Sequence, residues 1–274
     1  MIRIKDLGFS YGDYVVLKNI TMNLEEGHIY GLLGENGVGK TTLLTLLCGL
    51  KKVKEGSIET DGENPFDRRP SFLSDQYYLS DEVAPMNMKA VEYARNYGKF
   101  WDGFNMEEFI EIMKELDTDP EQKMTRMSFG QLKKTYISFA LACRTKYLFM
   151  DEPTNGLDIT SKAALRSILA QYADENKTIL ISTHQAHDIE NLVDRVVILH
   201  QGDVLLNQSV SELQQLFGFG ITTGREAIYS QQSVAGTVGI WAADNTEEGR
   251  FDLELLFNAA VKATESVRRV IAQK

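Results

Sequence analysis

At 274 residues, with 43% hydrophobic and 25% charged, the chain is long enough to bury a sizeable core as one large domain or as one domain with a small appendage. A formal net charge of -10 repels a phosphate backbone over much of the surface, which argues against non-specific wrapping of nucleic acid, so no nucleic-acid partner is expected. No stretch reaches the roughly 18 consecutive apolar residues that a spanning helix takes, and the start, Met1-Ile2-Arg3-Ile4-Lys5-Asp6, lacks the apolar centre of a signal peptide. A cytoplasmic location is expected, and Cys48 and Cys143, set among apolar residues with no Cys or His at ligand spacing, read as small core residues.

Residues 2–24 alternate apolar and polar positions around the Tyr11-Gly12-Asp13 turn, the pattern of an antiparallel starting sheet. The apolar run Ile29-Tyr30-Gly31-Leu32-Leu33 has strand length, a glycine-rich turn follows it, and 41–50 reads as a buried helix ending at Gly49. From 81 to 146 the signals are helical, at 88–97, 106–116 and 132–143, which predicts a helical insertion in an α/β core. Strand-like runs return at 147–150, 178–181 and 195–199, fitting buried parallel strands with crossover helices. Beyond about 211 the composition shifts, with glycines at 218, 220, 224, 236 and 239, possible strands at 227–229 and 238–242, and one final helix. That helix places Leu253, Leu256, Phe257, Ala260, Val267 and Ile271 near one face. The expected units are therefore a main domain over 1–211 and a small appendage over 212–274.

Gly34-Glu35-Asn36-Gly37-Val38-Gly39-Lys40-Thr41 fits G-x-x-x-x-G-K-[ST], and it stands between an apolar strand and a helix, where a phosphate cradle has to be. Glycines let backbone N–H groups curl around phosphate oxygens, and the helix beginning near Lys40 points its positive end at them. Lys40 adds a full charge near the β- and γ-phosphates, and the Thr41 hydroxyl is a ligand for Mg²⁺, with Thr42 next in the same turn. Downstream, Tyr147-Leu148-Phe149-Met150-Asp151-Glu152 is an apolar strand ending in adjacent carboxylates. Phosphoryl transfer needs a metal to neutralise developing charge and a side chain to orient the nucleophile, so Asp151 is assigned to Mg²⁺ and Glu152 to the attacking water. ATP and Mg²⁺ are the expected cofactors.

At this point the chain resembles the ABC ATPase family, because Asp151-Glu152 continues into Pro153-Thr154-Asn155-Gly156-Leu157-Asp158, similar to that family's D-loop; the resemblance covers about residues 1–210. Further matches fall in family order: Tyr11 as the aromatic on adenine (Phe9 and Tyr14 stand nearby), Gln76 as the Q-loop residue, Met127-Ser128-Phe129-Gly130-Gln131 as the signature, and Ser182-Thr183-His184 as the H-loop. The resemblance implies that Gln76 sits near Mg²⁺ and that His184 contacts the γ-phosphate. It also implies that Ser128, Gly130, Gln131 and Asp158 face nucleotide bound by a second ATPase chain. His28, His187 and His200 match no motif and read as surface or packing residues. The family's third signature position is glycine, and Phe129 there is costly if the backbone needs positive φ.

The implied whole is an α/β P-loop NTPase core with an antiparallel β edge sheet, an α-helical signature subdomain and a small C-terminal α+β appendage. It is expected to work as a homodimer or heterodimer on the inner face of the cell membrane, powering transport, with export as the expected direction, through a separate integral membrane subunit. The alternative is a soluble ABC ATPase acting on a protein assembly of the iron-sulfur scaffold kind.

Overall fold

The computed structural model describes residues 1–222, 225–234, 236–243 and 250–272; of the glycines noted above, Gly224 lies outside them. In chain order the elements are β1 (Ile2–Tyr11), β2 (Tyr14–Leu24), β3 (His28–Leu33), α1 (Lys40–Leu47), β4 (Glu55–Thr60), α2 (Pro70–Ser74) and β5 (Gln76–Leu79). Then come α3 (Ala90–Tyr97), α4 (Met106–Glu115), α5 (Phe129–Ala142), β6 (Tyr147–Asp151), α6 (Ile159–Tyr172), β7 (Thr178–Thr183), β8 (Arg195–His200) and β9 (Asp203–Ser209). The last are α7 (Val210–Leu216), β10 (Phe217–Ile221), β11 (Tyr229–Ser233), β12 (Gly236–Ala242), α8 (Leu253–Lys262) and α9 (Thr264–Ala272).

The central sheet runs β5-β6-β7-β3-β8-β9, parallel except for β9, which lies antiparallel on β8. Its apolar strands alternate between two cores, as a strand's period of two requires when both faces are covered. Tyr30, Leu32, Tyr147 and Phe149 pack with β1, β2 and α1, whereas Leu33, Leu148 and Met150 pack with α3, α4 and α5. The antiparallel starting sheet has the order β2-β1-β4, and Cys48 and Cys143 are buried free thiols.

Four details depart from the sequence-based expectations. Helix α1 stops at Leu47 because Gly49 takes φ +66 against the Pro65 carbonyl. Strand β9, not expected from the sequence, is the antiparallel edge of the central sheet, with Leu206 buried and its other residues half-exposed. In the C-terminal region the glycine-rich Phe217–Ile221 is a strand, the one expected over 227–229 starts only at Tyr229, and the sheet runs β10-β12-β11. The single last helix is two, broken at Ala263, with Leu253, Leu256, Ala260 and Val267 buried and Phe257 and Ile271 partly so. Helix α7 runs through position 211, and Phe217, Phe219, Ile240 and Leu256 join the core cluster that holds Leu148 and Met150.

A Cβ at Gly49 would stand 2.0 Å from the Pro65 carbonyl oxygen. Gly49→Ala is therefore expected to cost about 2–4 kcal/mol, the left-handed backbone and the overlap together, read as a lowered denaturation midpoint. An unchanged midpoint would show that the turn after α1 can shift.

Candidate functional site

The parallel strands β3, β6 and β7 end side by side, and their carboxyl ends feed the segments that carry the chemistry. Between β3 and α1 the chain turns back over the Lys40 ammonium, which the carbonyls of Gly34 and Glu35 hold. Gly39 takes φ +115, and a Cβ there would come within 2.7 Å of Leu17 Cδ2, so both backbone and space require glycine. Helix α1 then begins at Lys40 with no side-chain cap and no acidic residue in its first turn, leaving its positive end open to the cleft.

The cleft holds about 310 Å³. Asn36, Gly37, Gly39, Lys40, Thr41 and Thr42 form one wall, Tyr11, Tyr14 and Val16 of the starting sheet a second, and Asp81 and Glu152 a third. Gly34 and Glu35 serve from behind: the Lys40 ammonium donates to their carbonyls at 2.7 and 3.3 Å, and the Val38 N–H closes the turn onto Glu35 O at 3.3 Å. Burial pulls the Lys40 ammonium below its usual range, an effect opposed by the Glu152 carboxylate 3.6 Å away.

Thr41 Oγ1 donates to Asp151 Oδ2 at 2.6 Å, and Ser182 Oγ, from the end of β7, donates to Asp151 Oδ1. Tyr78 OH donates to Asp151 Oδ2 at 3.4 Å; burial, and then the Asp151 charge, push its phenol well above the ordinary tyrosine range. Glu152, just past β6, takes φ 45, a left-handed backbone that costs a non-glycine residue about 1–2 kcal/mol. Its N–H donates to Ser182 O at 3.1 Å, and its Oε1 lies 2.9 Å from His184 Nδ1. A carboxylate, an imidazole and an ammonium thus converge at the cleft's mouth on a strained, hydrogen-bonded turn, an arrangement suited to polarising water beside phosphate.

Of the aromatic candidates, Phe9 is buried in the starting sheet, while Tyr11 and Tyr14 face each other across the hairpin and both line the cleft. Tyr11 rests edge-on against Phe9, with the Lys51 ammonium 5.0 Å from its ring, and shares a hydrogen bond with Thr42 Oγ1 at 3.3 Å.

Gln76 requires a correction. It opens β5 opposite Tyr147, four positions before Asp151, so at about 3.3 Å per residue it stands about 13 Å from the carboxyl end of the sheet. Its backbone carbonyl accepts from Trp101 Nε1 at 3.0 Å, and its side chain does not line the cleft. The position beside the phosphate loop belongs instead to Asp81, two residues beyond β5. Sequence reasoning missed Asp81 because a four-residue strand gives no periodicity to locate its end; Tyr78, which donates to Asp151, was missed with it.

Ser128, Gly130, Gln131 and Asp158 are not among the residues lining the cleft. Ser128 caps α5 in a reciprocal box with Gln131, and Asp158 caps α6 by accepting from the Ser161 N–H at 2.8 Å. Phe129 is the first residue of α5 and is not among the positive-φ residues, so the conformational cost attached to it does not arise; its half-exposed ring lies over Gly156, which has no side chain to obstruct it. Among the described residues no helix is long and apolar enough to cross a membrane. His28, read as a surface or packing residue, is half-buried and bonds to Asp194 through Nδ1 at 3.0 Å.

A family model described as ABC transporter matches residues 17–155. The lantibiotic transport ATP-binding protein SrtF of Streptococcus pyogenes is 30% identical over 227 residues, covering 79% of this chain and 96% of that protein. The bacitracin transport ATP-binding protein BcrA of Bacillus licheniformis is 33% identical over 217 residues, covering 75% and 68%. Among solved structures, an ATP-binding subunit of an ABC transporter superposes with a TM-score of 0.69 at 24% identity over 78% of this chain and 92% of that one. The cassette MJ0796, a dimer in a post-hydrolysis state bound to ADP and Pi, superposes with a TM-score of 0.68 at 22% identity over 77% and 99%. With the phosphate loop, the paired acids after β6 and this coverage in hand, the chain belongs to the ABC transporter family, as one of its ATP-binding, ATP-hydrolysing members.

Proposed function

We propose that this chain powers export through a separate integral membrane subunit, sitting on the cytoplasmic face of the membrane and working as a pair of ATPase chains that close on bound nucleotide. The observation that carries the pairing is the split of the site: the cleft holds Lys40, Thr41 and Glu152, whereas Ser128 and its helix end face outward, away from their own chain's cleft. A helix N-terminus with no acidic residue in its first turn is a natural partner for phosphate held by another copy. Relatives named for lantibiotic and bacitracin transport support transport as the work done.

Within one chain the roles follow from chemistry and placement. Lys40 and the N–H groups around Gly37 and Gly39 grip phosphates, and the exposed Tyr11 ring offers a face to the base. Thr41 and Asp151, two hard oxygen donors 2.6 Å apart, fit a divalent cation and would hold Mg²⁺, which when bound neutralises phosphate charge. Glu152 orients and polarises the attacking water, and His184 holds the Glu152 carboxylate in place.

Tyr11→Ala is expected to weaken ATP binding about 5- to 150-fold, the worth of one stacked base, with a smaller effect from Tyr14→Ala. Equal losses from the two would move the stacking role off Tyr11. For the function as a whole, the tagged chain purified from detergent-solubilised membranes is expected to bring down a polytopic membrane protein, and inverted vesicles carrying the pair are expected to take up its substrate with ATP. Recovery only in soluble assemblies, with no membrane subunit, would favour action on a protein scaffold instead.

A further inference from the structure

A lysine in an amphipathic helix ordinarily reaches solvent, yet the Lys133 side chain, five residues into the helix that Ser128 caps, is wholly buried. Its ammonium is met by the carbonyls of Ser80 and Asp81, at 3.2 and 2.9 Å, and by Asp81 Oδ1 at 3.3 Å. The same Oδ1 accepts from Asn155 Nδ2 at 3.2 Å, and Asn155 closes, through its N–H onto Glu152 O at 3.2 Å, the turn that carries Glu152. Burial draws the ammonium below its usual range, while Asp81, and behind it Asp151 and Glu152, hold its proton on. Asp81 itself borders the cleft.

We propose that Lys133, Asp81 and Asn155 form a bridge that fixes the orientation of α5 against the Glu152 turn, making Lys133 and Asp81 positioning residues for hydrolysis. Burying a lysine is costly unless its partners are held in place, so the bridge resists tilting of α5 more than apolar packing does. A second contact backs it: the Phe129 ring lies over Gly156, one residue beyond Asn155. Rotation of α5 strains both contacts, and the first of them ends on the acid at the mouth of the cleft. The end of α5 that carries Ser128 and the Glu152 turn are thereby set together, one facing outward and one facing the chain's own cleft. The outward half of this coupling rests on the pairing proposed above; the bridge within one chain does not.

The test combines kinetics with a distance. Lys133→Met and Asp81→Asn are expected to lower kcat about 10- to 100-fold, and Lys133→Met, which leaves every cleft-lining residue in place, to keep the ATP Kd of the single chain within about threefold. The double variant is expected to be hardly worse than either single one, the mark of residues acting as a unit. Spin labels at Glu111→Cys on α4 and Glu59→Cys on β4, both exposed positions, are expected to show a wider distance distribution in either variant. Unchanged kcat, additive losses, or an unchanged distribution in Asp81→Asn, whose partly exposed carboxylate makes that variant the safer one for folding, overturns the bridge. Ser128→Arg separates the two readings: if it leaves hydrolysis intact, the pairing falls, while the label distances still decide the bridge.

Discussion

Glu152→Gln is expected to bind ATP as well as the native chain, to hydrolyse it about 10³- to 10⁴-fold more slowly, and to accumulate as an ATP-bound pair. The loss corresponds to about 4–5 kcal/mol of barrier, what a positioned acid-base group is asked to supply together with the geometry it maintains. The exchange of carboxylate for amide keeps the shape, so the strained φ of 45 and the N–H bond to Ser182 O remain. What disappears is the negative charge 3.6 Å from Lys40 and 2.9 Å from His184. Removing that charge beside a phosphate site lowers repulsion in the bound state, which is why affinity holds or rises while turnover stops. Phosphate release measures the slowed turnover, and light scattering the accumulation of the pair. A variant that stays a single chain at saturating ATP with Mg²⁺ present counts against closure on nucleotide, and one that hydrolyses at the native rate removes Glu152 from the chemistry.

How much of this site could be read in the sequence depended on whether a residue's task is local. The phosphate loop was legible because its function is written into eight consecutive positions and the strand and helix that flank them. Asp151 and Glu152 were legible for the same reason, since an apolar run that ends in two acids marks both a strand and its carboxyl end. Asp81 was not, because its place depends on where a four-residue strand stops, and the register of β5 on β6 is a tertiary fact. Lys133 reads as a solvent-facing lysine until the carbonyls of Ser80 and Asp81 are seen to close over it. In the fold, the parallel strands β3, β6, β7 and β8 were found by their apolar runs, while the four-residue β5 was not, and β10 escaped notice since its glycines give Trp241 room rather than adding side chains of their own. The break at Ala263 between α8 and α9 has neither glycine nor proline to announce it.

Lys40→Met separates binding from folding, and its expected effect is the largest on affinity. The native ammonium is buried, bonded to the carbonyls of Gly34 and Glu35 and paired with Glu152, so the loop is shaped around a cation before any phosphate arrives. Methionine fills a similar volume but donates nothing, which leaves those carbonyls pointing at an apolar tip and removes the full charge next to the phosphates. ATP affinity is expected to fall at least about 100-fold, the scale of losing one charged donor in a site shielded from water. Without nucleotide the loss of stability is expected to be smaller than breaking a buried ion pair commonly gives, about 3–5 kcal/mol, because Glu152 keeps His184 and its backbone bonds. The measurement that distinguishes the two is the thermal midpoint with and without ATP. Ligand that binds only the folded chain raises the native midpoint by mass action, and the variant's midpoint is expected to stay where it was. Equal upward shifts in both proteins would mean that phosphate is gripped elsewhere than in the turn ahead of α1.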